Sequence, residues 1–228
     1  MVAKKCHRLM VTALAVASLV ACGGGGSGGG SEVSSVSFPV EAVFVGANTG
    51  GLSVSGGTVD GSDNWTINLT MAPAADQTFE GVAVKQSLTS VTIKKNGATV
   101  VSSGGQGFFS TNPYAPKGLI LADGSYGVQS VPANVLPATA NVGSSGSLGK
   151  VTIYQNSSQA TTLFTQEGTW TLEADTATTA YLCTNTTAKN TSNQLISTTA
   201  GCYKINTAGT VVGLRWTLAV AGKTLTFR

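Results

Sequence analysis

Histidine is nearly missing: the one copy, His7, lies in the first ten of 228 residues. Beyond it no Ser-His-Asp triad, Cys-His pair or histidine zinc site can be assembled. Charge is scarce as well, at 10% of residues, and no basic run follows the first few positions. That leaves no electrostatic footprint for nucleic acid or for anionic lipid. The four cysteines include no Cys-x-x-Cys pair. No apolar run reaches the roughly 20 residues that a membrane-crossing helix requires. Nothing after residue 22 carries a helical hydrophobic period.

What is present falls into two parts. Lys4, Lys5 and Arg8 precede an apolar stretch from Leu9 to Val20, the n-region and h-region of a targeting segment. Leu19-Val20-Ala21-Cys22 follows, and then residues 23–31 are glycine apart from Ser27 and Ser31. This arrangement resembles the lipobox of bacterial lipoproteins, in which the peptide before the cysteine is removed and the cysteine is acylated. The resemblance implies a mature chain that begins at an acylated (palmitate-bearing) Cys22. Gly23, where inner-membrane lipoproteins usually carry Asp, implies sorting to the outer membrane, facing either the periplasm or the cell surface. Three of the 13 Lys and Arg precede Cys22, so 10 remain against 10 Asp and Glu, and the mature chain is formally neutral. Membrane association then rests on the acyl chains, at about 0.8 kcal/mol per buried CH₂. A tether of this composition, 22–37, spans on the order of 20 Å.

The body, 38–228, is rich in Gly, Thr, Ser and Val, and 42% hydrophobic residues over the chain are too many for a disordered segment. Trp65-Thr66-Ile67-Asn68-Leu69-Thr70-Met71 alternates with period two, which puts Trp65, Ile67, Leu69 and Met71 on one strand face. Phe79–Lys85 and Leu88–Lys94 continue in that manner, and Asn96-Gly97 predicts a tight hairpin. Gly104–Gly107 and Asn112–Pro116 read as loops. Residues 132–147 lack strand character and mark a possible sub-boundary of the body. Trp170-Thr171-Leu172 and Trp216-Thr217-Leu218 echo Trp65-Thr66-Ile67, so all three indoles are expected in the core, with a sugar-stacking platform as the functional alternative. A turn at Ala221-Gly222 closes the last hairpin. The pattern predicts an all-β fold: an antiparallel sandwich or barrel of many short strands with no substantial helix after the signal segment.

Cys6 lies within the targeting segment, which leaves Cys183 and Cys202 as an even pair in an oxidising compartment. They are expected to be bridged on adjoining strands, which stabilises a loop of this length by about 3 kcal/mol. Catalytic motifs mostly fail. Ser147-Leu148-Gly149-Lys150 and Ser62-Asp63-Asn64 match two fragments of the penicillin-binding pattern in reversed order, without the third. Asp60–Asn64 lacks the spacing of a calcium loop. Carboxylate pairs alone stay open: Glu173 and Asp175 share a strand face and Glu167 precedes them, while glycoside hydrolysis needs two carboxyl groups roughly 5 to 9.5 Å apart. No cofactor or metal is implied. The reading is a lipid-anchored, non-catalytic binding or structural module whose partner is a protein, a glycan or an apolar ligand. A carboxylate-dependent enzyme on polysaccharide and a β-barrel carrier of an apolar ligand are the alternatives.

Overall fold

A computed structural model describes residues 36–228. The targeting segment, Cys22 and most of the tether lie outside the described residues. A single helix, α1 (Val40–Thr49), precedes β1 (Leu52–Asp60), β2 (Asp63–Phe79), β3 (Val82–Lys95), β4 (Ala98–Thr111), β5 (Tyr114–Leu121) and β6 (Tyr126–Val131). After a long connection come β7 (Ser145–Tyr154), β8 (Thr162–Ala174), β9 (Thr179–Asn190), β10 (Leu195–Asn206), β11 (Val211–Val220) and β12 (Lys223–Phe227). Each strand pairs with the next in sequence, giving one twelve-stranded antiparallel meander.

The meander curls until its ends meet. Gly57 donates its N–H to the Arg228 carbonyl at 2.8 Å, and Arg228 returns a bond to Gly57 at 3.2 Å. Lys223 of β12 forms an ion pair with Asp60 of β1 across the same seam. The result is a nearly closed barrel, which removes most of the exposed edge that an open sheet would present to other chains.

The hairpin expected at Asn96-Gly97 is present, with φ of 49° and 84° and Lys95 opposite Ala98. Glu80-Gly81 turns in the same left-handed manner, at φ 50° and 76°. The stretch read as two strands from Phe79 to Lys94 is therefore the end of β2, a turn, and β3. Gly104–Gly107, read as loop, belongs to β4. The physical reason is close packing: a β-carbon at Gly104 would stand 2.6 Å from the Thr89 carbonyl, and one at Gly105 2.7 Å from that of Ile120. Asn112-Pro113 is the turn between β4 and β5, but Tyr114–Pro116, read as loop with it, opens β5.

Two apolar clusters fill the barrel. Trp65, Ile67 and Leu69 of β2 meet Ile93 of β3, Leu214 and Leu218 of β11, and Leu225 and Phe227 of β12. Fully burying each such side chain contributes about 1.5–3 kcal/mol. The second cluster joins Val40, Val43 and Phe44 of α1 to Phe109, Tyr114, Trp170, Leu172, Leu182 and Ile205 from β4, β5 and β8–β10. Tyr203 and Val211 pack against both clusters. Strands from opposite sides of the barrel thus close on α1, whose Asn48 is buried and accepts a hydrogen bond from Ser87 at 2.7 Å. A helix apolar on most of its circumference belongs in an interior. Only Ala42, Gly46 and Thr49 face solvent as a stripe.

A third, smaller cluster lies on the outer wall. Gly107 faces Ser87 inside, so Phe108 points outward, where Phe79 stacks on it at 4.3 Å and on Tyr126 at 5.1 Å. The β2–β3 tip is thereby folded back on the barrel, and Tyr126 donates to Glu80 at 2.6 Å to hold it there. Burial and that bond push the Tyr126 phenol up to about 12.

Candidate functional site

The carboxylates singled out from the sequence all sit on the outer wall, opposite the inward Trp170 and Leu172. Glu167 pairs with Lys150 at 3.2 Å, Glu173 with Arg215, and Asp175 with Lys204 at 2.9 Å. Glu167 and Glu173 are six strand positions apart, roughly 20 Å along β8. Glu173 and Asp175 are neighbours, yet each is held by its own cation from β11 or β10.

Asp175 shows what this arrangement does electrostatically. Burial works to raise its pKa, but hydrogen bonds from Thr179 and Lys204 outweigh that and hold the carboxyl below its ordinary value of 3.8. Hydrogen bonding to Asp175 raises Lys204 above 10.5. A depressed carboxyl contributes stability that is complete above about 3.8 and is lost as pH falls through the lower folded value. The raised lysine contributes below 10.5 and loses that contribution as pH climbs through its folded value. Asp175→Asn is expected to lower stability at pH 7 by no more than about 1 kcal/mol, as for a partly exposed pair. It should also flatten the loss of stability below pH 4, which urea midpoints measured from pH 6 to 2 would show.

Cys183 and Cys202 stand directly opposite each other on β9 and β10 and are bonded. Alternation places both sulfurs on the outer wall, where Arg215 lies 3.5 Å from Cys183 Sγ and 3.4 Å from Cys202 Sγ. The same guanidinium covers the Tyr181 ring at 4.3 Å. Glu173 and the two sulfurs converge as a metal set would. The sulfurs are spent on each other, and a cation already neutralises the carboxylate.

A groove lies elsewhere, over the segment read as strandless, 132–147, of which Ser145–Ser147 in fact open β7. Residues 132–144 connect β6 to β7, two strands that pair with each other. Phe38 and Ala140 exchange backbone hydrogen bonds at 2.8 and 2.9 Å, Glu41 N–H donates to Pro137, and Leu136 is buried. Gly143 and Ser144 pair with Leu172 at the end of β8. So fixed, the segment walls a groove of about 630 Å³ with β7 and β8. Asn134, Thr139, Asn141, Ser144 and Ser145 line it, with Ser37 at its rim and the Trp170 indole beside it. None of its lining residues carries a charge.

Amide and hydroxyl side chains offer both donors and acceptors without the cost of stripping water from an ion. Trp170 lies against Gly146 of β7, its indole nitrogen 2.6 Å from where a β-carbon would be. The tryptophan was legible as a core residue. The groove beside it was not, because Asn, Ser, Thr and Pro in a strandless stretch signal a loop whatever its neighbours.

Beside α1 a cavity of about 140 Å³ remains, too small for an acyl chain. Comparison with known proteins adds no relative: no family model matches the chain, and no match is found among curated proteins or solved structures.

Proposed function

We propose that the chain is an acyl-anchored binding module of the bacterial outer membrane, whose uncharged groove takes a short stretch of neutral glycan. The observation that carries this is the groove itself: 630 Å³ of space, fixed by backbone hydrogen bonds on both sides and lined by amides and hydroxyls without one ionised group. Concave sites of 300–1,000 Å³ with a few convergent polar groups suit compact ligands. A neutral sugar presents the hydroxyls that such a lining pairs with. Ser37, close in sequence to the tether, is among the residues that line the groove.

A non-catalytic role fits the same features. The three carboxylates suited to sugar hydrolysis are tied into ion pairs on the outer wall, and none of them lines the groove. Titration of the full chain with neutral hexose and N-acetylhexosamine trisaccharides, followed by calorimetry, tests the reading. Saturable binding is expected, with Asn134→Ala and Asn141→Ala each weakening it about five- to tenfold, the worth of one hydrogen bond. Glu173→Gln should leave it unchanged. Absence of binding to every neutral trisaccharide, or binding indifferent to both asparagines, would refute the assignment.

A further inference from the structure

The cavity beside α1 has a chemistry of its own. Ala47 and Asn48 come from the helix, Met71 from β2, Tyr114 from β5, and Thr184 and Tyr203 from β9 and β10. Burial pushes the Tyr203 phenol up to about 12 and that of Tyr114 higher still, so both are neutral at physiological pH. Most polar groups around it are already engaged. Asn48 donates to the Phe44 carbonyl at 2.8 Å and accepts from Ser87, and Thr184 donates to the Gly201 carbonyl at 3.3 Å.

Tyr203 differs. Its hydroxyl donates to the sulfur of Met71 at 3.6 Å, a weak acceptor that an oxygen would displace with advantage. The space, about 140 Å³, is close to the roughly 150 Å³ that holds a single benzene-sized ring. Ala42, Gly46 and Thr49 on the far side of α1 are exposed, so the helix that lines the cavity meets water on its other face.

We infer that this cavity is a second binding site, for a small neutral molecule of one ring or a short chain carrying a hydroxyl or carbonyl oxygen that takes the Tyr203 hydrogen bond. The site lies inside the barrel, apart from the groove, and does not depend on the glycan reading.

Phenol and benzene are the probes, titrated into the isotopically labelled full chain and followed by amide chemical shifts. Phenol should give saturable shifts concentrated in α1, β2 and β10, and bind about fivefold more tightly than benzene through its one hydrogen bond. Ala47→Leu, which fills the space, should weaken phenol at least tenfold, while Ala42→Leu on the exposed stripe should not. Tyr203→Phe, which keeps the shape and removes the hydroxyl, should erase the preference for phenol over benzene. Shifts that do not saturate, or that persist unchanged in Ala47→Leu, would overturn the assignment. Should Ala47→Leu fail to fold, a phenol preference retained in Tyr203→Phe would overturn it alone.

Discussion

Gly201→Ala is expected to destabilise the protein by about 3 kcal/mol or more, near the upper end for single substitutions. Gly201 of β10 stands opposite Trp216 of β11, and a β-carbon there would fall on the indole nitrogen. The ring is partly buried and packs against the β1–β3 and β11–β12 cluster, so moving it aside disturbs that packing. Overpacked cores lose about 1–3 kcal/mol through forced rotamers and backbone shifts. Here the intruding atom meets a rigid aromatic rather than a flexible chain end, which places the cost at or above the top of that range. Gly213→Ala in the same hairpin is the internal control. Its β-carbon would meet the Lys204 side chain at 3.7 Å, an ordinary contact, and the change should lie within about 0.5 kcal/mol. Urea midpoints of the two variants measure the contrast. Equal midpoints would mean that Trp216 does not lie over Gly201.

Phe38→Ala should cost about 3–5 kcal/mol, the range for truncating a buried phenylalanine. Phe38 is fully buried in the cluster that includes α1 and Leu136, and its backbone pairs with Ala140. It therefore ties the entry of the chain to the segment that walls the groove. Beyond the lower midpoint, amide exchange should quicken in 134–144 more than in β2 or β3, since those strands draw their stability from the other cluster. Val135→Ser, at a residue 73% exposed on the same segment, should change neither. Uniform loss of protection across all twelve strands would show that the groove wall is not a separate cooperative unit.

Much of the fold is written in local pattern, and what is not has physical causes. Alternation from Trp65 to Met71 marks a strand because one wall faces a core and the other faces water. Asn96-Gly97 marks a hairpin because few residue pairs accept two left-handed conformations in succession. Cys183 and Cys202 are legible by elimination. α1 escapes this reading because it is buried on most sides and its narrow exposed stripe is Ala42, Gly46 and Thr49, which leaves no charged face from which amphipathic helices are recognised. Gly104–Gly107 reads as loop because the close approach of neighbouring strands, which glycine permits, depends on residues far away in sequence. The seam between Gly57 and Arg228 and the fold-back of Phe79 onto Phe108 are likewise long-range. The groove was hidden for the same reason: its polar residues are unremarkable one by one, and only the pairing of Phe38 with Ala140 and of 143–144 with Leu172 arranges them around a space.

Anchoring and binding are tested together by intact mass spectrometry of the protein extracted from membranes, under native and then denaturing conditions. Expected are a chain beginning at Cys22 with acyl chains added, two hydrogens lost between Cys183 and Cys202, and native adducts spaced by neutral sugar masses that vanish on denaturation. An unacylated chain with a free thiol at Cys22 and no sugar adduct would contradict both.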